Sequence, residues 1–358
     1  MVWGMNSMCQ KRAQAVYPEN TITADHPIDS PREEIRGRID HFSLEERLAY
    51  LQKYGDHCLS FSLLQQGMHY FDVPGTGFIA FGQKWGKRFV LADPVCDAKD
   101  REAMLKDFMD QGSDPVFVQI SEDIARLIHE KFGYYCTQYG VEINVDLDRW
   151  DLKGKKKQVL RTSINHARKA GVVIEEMYAA DGCRQLSEEW LKTRKVRNRE
   201  ICFLIRPMDM NYQEGTRKFS AYLSGELIGF VFFDPIYREN RVIGYVPNIS
   251  RFSNRFKPGI FYPLMIHAMD TFKQEGIKNM NIGLCPLKTD DHYMPGESVI
   301  LKKMNRLLFN HGNWIFSFKG LYFTKSRFGG TENRIFGGTR QRLPLVSFLA
   351  LLKLCKVL

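Results

Sequence analysis

The sequence has no run of about 18 consecutive apolar residues, so no transmembrane helix is predicted. Its eight cysteines stand at 9, 58, 96, 136, 183, 202, 285 and 355, and none forms a C-x-x-C pair. That spacing argues against a disulfide framework or a zinc site and suits small core residues in a reducing compartment. A phosphate-binding G-x-x-x-x-G-K loop, an H-E-x-x-H helix and a G-x-S-x-G elbow are all absent. Gly75-Thr-Gly77-Phe-Ile-Ala80 imitates a dinucleotide loop, but a strand pattern follows it where a helix is required. The nine histidines are dispersed, and His166 and His267 read as structural. Nothing announces a covalent nucleophile. The first residues lack the pattern of a signal peptide, since Lys11 and Arg12 follow the apolar residues instead of preceding them.

What is abundant is positive charge. The 358 residues carry 51 Lys and Arg against 41 Asp and Glu, a net charge of +10. This excess favours an anionic partner such as nucleic acid or anionic lipid. It is concentrated at 152–170, where seven positions are Lys or Arg and none is acidic. Leu160, Ile164 and Ala167 fall at i, i+4, i+7 on one helical face, and Lys157, Arg161 and Arg168 line an adjacent one. Gly171 is a natural stop. Such a helix packs one side and offers the other to phosphates, or is a solvated surface helix.

The composition, 44% hydrophobic and 13% aromatic, supports one large or two ordinary domains. Residues 1–35 read as a poorly ordered lead-in. A first unit at 36–152 begins with a helix at 44–54 capped by Ser43. Strands are expected at 59–64, 68–72, 77–83 and 87–91, then a helix at 98–111, a strand at 116–120, a helix at 122–131 and a strand at 141–147. After the connecting segment 153–171, a second unit at 172–342 repeats this grammar. It has a helix at 183–198 with Leu186, Trp190, Leu191 and Arg194 in register, then strands at 217–223, 226–234 and 241–247. A loop at 248–258 precedes a helix at 259–275, a strand at 279–283 and a helix at 298–310. The almost wholly apolar segment 343–358 reads as a terminal helix, buried or lying in a membrane interface. The expected fold class is α/β (α+β), with two mixed sheets flanked by helices.

The junction at 248–259 invites an anion. A strand ends near Asn248, a loop carries Arg251, Arg255 and Lys257, and a helix starts at Gly259 with free backbone N–H groups. Acetyltransferases of the GNAT class hold a cofactor pyrophosphate at such a junction, but this loop lacks their coenzyme A signature.

Five strings in order resemble the C-terminal catalytic domain of phosphatidylglycerol lysyltransferases, the tRNA-dependent aminoacyl-lipid synthases. They are Val90-Leu-Ala-Asp-Pro-Val95, the stretch Val145–Arg161, Leu186–Lys195, Asn281-Ile-Gly-Leu-Cys-Pro-Leu287 and Lys319-Gly-Leu-Tyr-Phe-Thr-Lys-Ser-Arg-Phe328. The resemblance runs from about residue 56 to 340 and implies tandem GNAT-like acyltransferase domains. It also implies aminoacyl-tRNA and an anionic membrane lipid as partners, a location on the cytoplasmic face of a membrane, and neither cofactor nor metal. Where the family carries Asp-x-x-Arg, this chain has Asn248-Ile-Ser-Arg251, so the acid that would suit a cationic aminoacyl group is missing.

An aminoacyl-tRNA ester is already activated, so catalysis needs positioning, proton removal and oxyanion stabilisation. Arg251 and Lys325 are the expected cations at the phosphate or oxyanion, and Asn248 the residue that orients the aminoacyl group. Glu297 reads as a general base or as a helix N-terminal acid. Lys155, Lys156, Lys157, Arg161 and Arg168 are the expected tRNA contacts, and Arg255, Lys257 and Gly259 the anion loop. Three other functions fit the same residues: aminoacyl transfer to a soluble amine or hydroxylamine, acyl-CoA-dependent acyl transfer, and non-catalytic binding of RNA or membrane.

Overall fold

Local chemistry fixes many element boundaries. The Ser43 hydroxyl accepts from the Glu46 amide and the Glu46 carboxylate accepts from the Ser43 amide, a reciprocal cap that starts helix α1 (Leu44–Tyr54) where the sequence predicts it. Ser121 caps α3 (Glu122–Phe132), and Gly133 ends it with φ +68°. The computed structural model describes residues 37–177, 182–193, 200–210, 214–312 and 316–357. The expected lead-in at 1–35 and Arg194 lie outside them.

The remaining helices are α2 (Arg101–Asp110), α4 (Gln158–Lys169), α5 (Cys183–Lys192), α6 (Phe261–Gln274), α7 (Val299–His311), α8 (Phe318–Ser326) and α9 (Leu345–Leu354). The strands of the N-terminal part are β1 (Arg38–Ile39), β2 (His69–Val73), β3 (Gly77–Lys84), β4 (Lys87–Leu91), β5 (Val95–Cys96), β6 (Val116–Ile120) and β7 (Tyr135–Asp146). Those of the C-terminal part are β8 (Val173–Glu176), β9 (Arg217–Leu223), β10 (Glu226–Arg238), β11 (Arg241–Phe252), β12 (Asn279–Pro286) and β13 (Thr331–Thr339).

These strands form one continuous mixed sheet, in the order β1-β2-β3-β4-β6-β13-β7-β12-β11-β10-β9-β8, with β5 paired to β3. The β4–β6 and β11–β12 pairs are parallel and the others antiparallel. Strand β13, from the C-terminal part, inserts between β6 and β7 of the N-terminal part. Strand β3 shows how the sheet is covered. Ile79 and Phe81 pack into a core shared with α2 and α3, while Phe78 and Ala80 pack on the other face with Leu51 of α1 and Ala350 of α9. Farther along, Val231, Phe233, Tyr245 and Met280 meet α4 and α6, and Phe230, Phe232 and Ile249 meet α5. Phe272 is fully buried and stacks on Tyr245 with 4.2 Å between ring centroids. Burial of one such ring contributes roughly 1.5–3 kcal/mol.

Four expectations are corrected. The alternating segment 59–64 is a 3-10 turn (Phe61–Leu64), because its bonds are local and Ser62 turns to Asp234 at 3.4 Å. Strand β11 runs on to Phe252 instead of ending at Asn248, since Ile249–Phe252 keep pairing with β10. The basic helix starts at Gln158, after a 3-10 turn at Lys155–Lys157 that follows Gly154 with φ +89°. Strands β8 and β13 and helix α8 were not anticipated. No helix among the described residues is long and apolar enough to cross a membrane.

Candidate active site

Parallel strands β11 and β12 pair only at Gly244↔Asn279 and Tyr245↔Met280 and then part. Asn248 is the additional residue of a bulge between the Phe232↔Ile249 and Phe233↔Pro247 pairs. On the other side of the gap, β12 breaks register with β7 between Asn281 and Leu284, and Gly283 takes φ +84°. Lys325, on α8, reaches this irregularity and donates to the Leu284 carbonyl at 3.0 Å. A side chain on Gly283 would meet the Lys325 ammonium at 3.0 Å, so glycine leaves it room. Burial pushes the Lys325 ammonium below the usual lysine range.

A cleft of about 570 Å³ opens on the sheet face next to this gap. Glu142, 4% exposed, sits in its lining together with His57, Cys58, Asn144, Asn281 and Arg334. The Glu142 carboxylate accepts from the Cys58 thiol at 2.9 Å, the Gln119 amide at 3.2 Å and the Asn281 amide at 3.0 Å. Burial raises the Cys58 thiol well above its ordinary range, and the nearby Glu142 adds to the shift. Cys58 therefore stays protonated as a donor and is not a nucleophile. His57 Nδ1 accepts from the Leu59 amide at 3.0 Å, which places the ring proton on Nε2. That Nε2–H is buried and has no hydrogen-bond partner. Ligand atoms of His57, Cys58 and Glu142 lie within 4.8 Å of one another.

Asn248 and Arg251 belong to a different cluster. Arg251 is buried, bonds Ser187 Oγ at 3.1 Å and Glu200 at 2.7 Å, and lies 4.2 Å over the Trp190 ring. Burial pushes its guanidinium down, against the pull of Glu200. Asn248 donates its amide to the Arg206 carbonyl at 3.1 Å. Arg206 in turn binds Asp234 at 2.5 Å with both side chains nearly inaccessible. This cluster clamps segment 200–210 across the sheet.

The anion loop is not assembled as expected. Arg251 turns onto the sheet toward Glu200, Arg255 pairs with Glu226, and Lys257 and Gly259 are exposed. Gly259 has φ +81°, and α6 begins two residues later without a side-chain cap. Glu297 also lies outside the cleft lining. Its inaccessible carboxylate accepts from the amides of Gln138 at 2.8 Å and Met294 at 3.1 Å and pairs with Lys302 at 3.0 Å. The Glu297 side chain is fully inaccessible, whereas Glu142 lines the cleft despite its three donors.

The five basic contacts divide into two sets. Lys157 donates to the Asp151 carbonyl at 2.5 Å and lies 4.7 Å over the Trp150 ring. Arg161 binds the carbonyls of Leu152 and Gly154 at 2.5 and 2.8 Å. These two build the turn. Lys155, Lys156 and Arg168 are exposed and present charge. Trp150 anchors the turn to the segment just after α8 by donating to the Phe328 carbonyl at 2.7 Å.

Sequence reasoning missed Glu142, His57, Cys58 and Asn281 as site residues. A signal was present. Val141–Asp146 and Asn279–Ile282 alternate apolar and polar residues, yet both strands are central to the sheet. A central strand covered on both faces reads as continuous apolar, so alternation there marks a polar cleft.

Comparison with known proteins gives a consistent result. The family model described as phosphatidylglycerol lysyltransferase, C-terminal, matches residues 48–336. A phosphatidylglycerol lysyltransferase of Bacillus subtilis is 26% identical over 302 residues, covering 79% of this chain and 33% of that protein. The chain thus spans about a third of the length of the curated relative. The solved structure of L-PGS from Bacillus licheniformis superposes with a TM-score of 0.71 at 23% identity, covering 87% of this chain and 96% of that one. FemX shares the fold more distantly, with a TM-score of 0.51 at 10% identity over 87% of this chain and 100% of that one. The fold class is the mixed α/β class expected, with one continuous sheet where two were expected.

Proposed function

The chain belongs to the phosphatidylglycerol lysyltransferase C-terminal family, and from that premise we propose that it transfers an aminoacyl group from aminoacyl-tRNA to a phosphatidylglycerol-type lipid at the β11–β12 cleft. The observation that carries the reading is the polar lining of the cleft in the middle of a covered sheet, with Glu142 beside an unpartnered His57 Nε2–H. A lipid hydroxyl oxygen attacks the ester carbonyl carbon, and a new ester bond forms. The bond to the tRNA ribose oxygen breaks. Glu142 takes the hydroxyl proton, and the departing ribose oxygen receives it. His57 Nε2–H and the Lys325 ammonium stabilise the developing oxyanion. Arg251 and Asn248 act by holding segment 200–210 on the sheet, and Glu297 is not the base. Lys155, Lys156 and Arg168 hold the tRNA backbone, on a turn tied to the segment just after the helix that carries Lys325.

The test incubates the protein with radiolabelled aminoacyl-tRNAs, charged in a pool, and phosphatidylglycerol vesicles. Label is expected in the organic phase, and the amino acid that moves identifies the donor. Label that moves only to an aqueous extract redirects the reading to a soluble acceptor. No transfer to either phase overturns it.

A further inference from the structure

Helix α7 is built inside out. A surface helix ordinarily turns its apolar stripe inward. Here Ile300, Met304 and Leu307, at i, i+4, i+7, are 58%, 45% and 61% exposed. The buried residue of the helix is Lys302, at 1% exposure. The inward side is held by polar bonds. Lys302 binds Glu297 at 3.0 Å, Asp290 at 3.4 Å and the His292 carbonyl. Asn305 donates to the Gln138 carbonyl at 3.0 Å, and Arg306 to the Asp290 carbonyl at 2.8 Å. The apolar stripe continues onto α8 through Phe323, 57% exposed, and the two helices meet where Phe309 packs edge-on against Tyr322. Burying an ammonium to expose three aliphatic side chains has no folding rationale. It makes sense when something apolar covers them.

We propose that the α7–α8 face seats on an anionic lipid bilayer and brings acceptor lipid to the cleft; the second clause rests on the transferase reading above. Charge selects the occupant. From Ser298 to Thr331 the chain carries six Lys or Arg and no Asp or Glu. Lys302 and Arg306 are paired with carboxylates, and Lys325 is partly buried and bonds the Leu284 carbonyl. Lys303, Lys319 and Arg327 have no ion-pair partner among the described residues, and an apolar stripe flanked by such cations matches an anionic interface. Helix α7 has 13 residues, about 20 Å, so it lies in an interface and does not cross it. Position supports the same choice, because α8 carries Lys325 to the β12 irregularity, close enough to act electrostatically on Cys58 and Glu142 of the cleft lining. Helix α9 also exposes Leu345 and Phe348, but it packs on the opposite face of the sheet with the α1 core.

The experiment uses the full chain and vesicle flotation, with vesicles of phosphatidylglycerol and phosphatidylcholine compared with phosphatidylcholine alone. The wild type is expected to float with the anionic vesicles. The triple variant Ile300→Gln/Met304→Gln/Leu307→Gln is expected to lose at least about tenfold in partitioning while keeping its thermal midpoint. Leu345→Gln/Phe348→Gln in α9 is expected to float like the wild type. If the triple variant fails to fold, the single Leu307→Glu gives the same reading. Vesicle binding without aminoacyl transfer supports the surface and overturns the transferase reading. The proposal is overturned by a wild type that ignores anionic vesicles, by a triple variant that floats normally, or by a concentration-dependent dimer that the triple variant abolishes.

Discussion

Helices α4 and α7 are both basic and both amphipathic, yet they face opposite ways. Helix α4 buries Leu160 and Ala167 on α6 and turns Arg168 and Lys169 outward. Helix α7 buries Lys302 and turns Ile300 and Leu307 outward. Periodicity defines a stripe but not its direction. What lies beneath decides. Under α4 is the apolar cluster of Leu264, Met269 and Ile282, and under α7 are the carboxylates of Asp290 and Glu297. On the proposed reading the two helices divide the labour: one offers charge to phosphates, the other a greasy face to lipid.

The hardest way to break this contrast is at the inward residues. Lys302→Ala leaves Glu297 buried without its cation and is expected to lower unfolding free energy by about 3–5 kcal/mol in urea titration. A loss under about 1 kcal/mol contradicts the view of Lys302 as the keel of α7. Leu160→Ala in α4 empties an apolar site and is expected to cost about 2–5 kcal/mol by the same measurement. The outward residues should behave differently. Joint replacement of Lys155, Lys156 and Arg168 by Ala should weaken tRNA binding and flatten its log–log salt dependence by about two. Stability should change by only about 0.5 kcal/mol. Ile300→Gln alone should leave stability within about 0.5 kcal/mol, since its side chain is already exposed.

Lys325 adds a pH test with two signs. Burial lowers its folded-state pKa below the unfolded value, so between the two the unfolded chain binds more protons. Stability should therefore rise with pH through that window. The proposed mechanism uses the ammonium, so it predicts that the rate falls through the same window. Lys325→Arg should shift that alkaline limb upward, as read from pH–rate profiles.

Much of the fold was legible because its signals are local. The Ser43 cap, the hairpin turn at Trp85-Gly86 and the buried run Val116–Ile120 each announce themselves within a few residues. Strand β13 did not, because its place between β6 and β7 depends on partners roughly 200 residues earlier. The same holds for the site. His57 and Cys58 meet Glu142 across 84 residues from Cys58, and no spacing rule anticipates that. Arg251, Arg255 and Lys257 illustrate the reverse error. Their closeness in sequence suggested one anion site, but Arg251 lies on β11 and turns to Glu200, while Arg255 lies beyond the strand and pairs with Glu226.

The central claim is that transfer occurs at the cleft beside Glu142. Its most direct test is single-turnover aminoacyl transfer by Glu142→Gln, with folding and vesicle binding measured on the same preparation. The account predicts a rate reduced by about 10²–10⁴ with both controls unchanged. A rate within about threefold of wild type in a folded, vesicle-bound variant would contradict it.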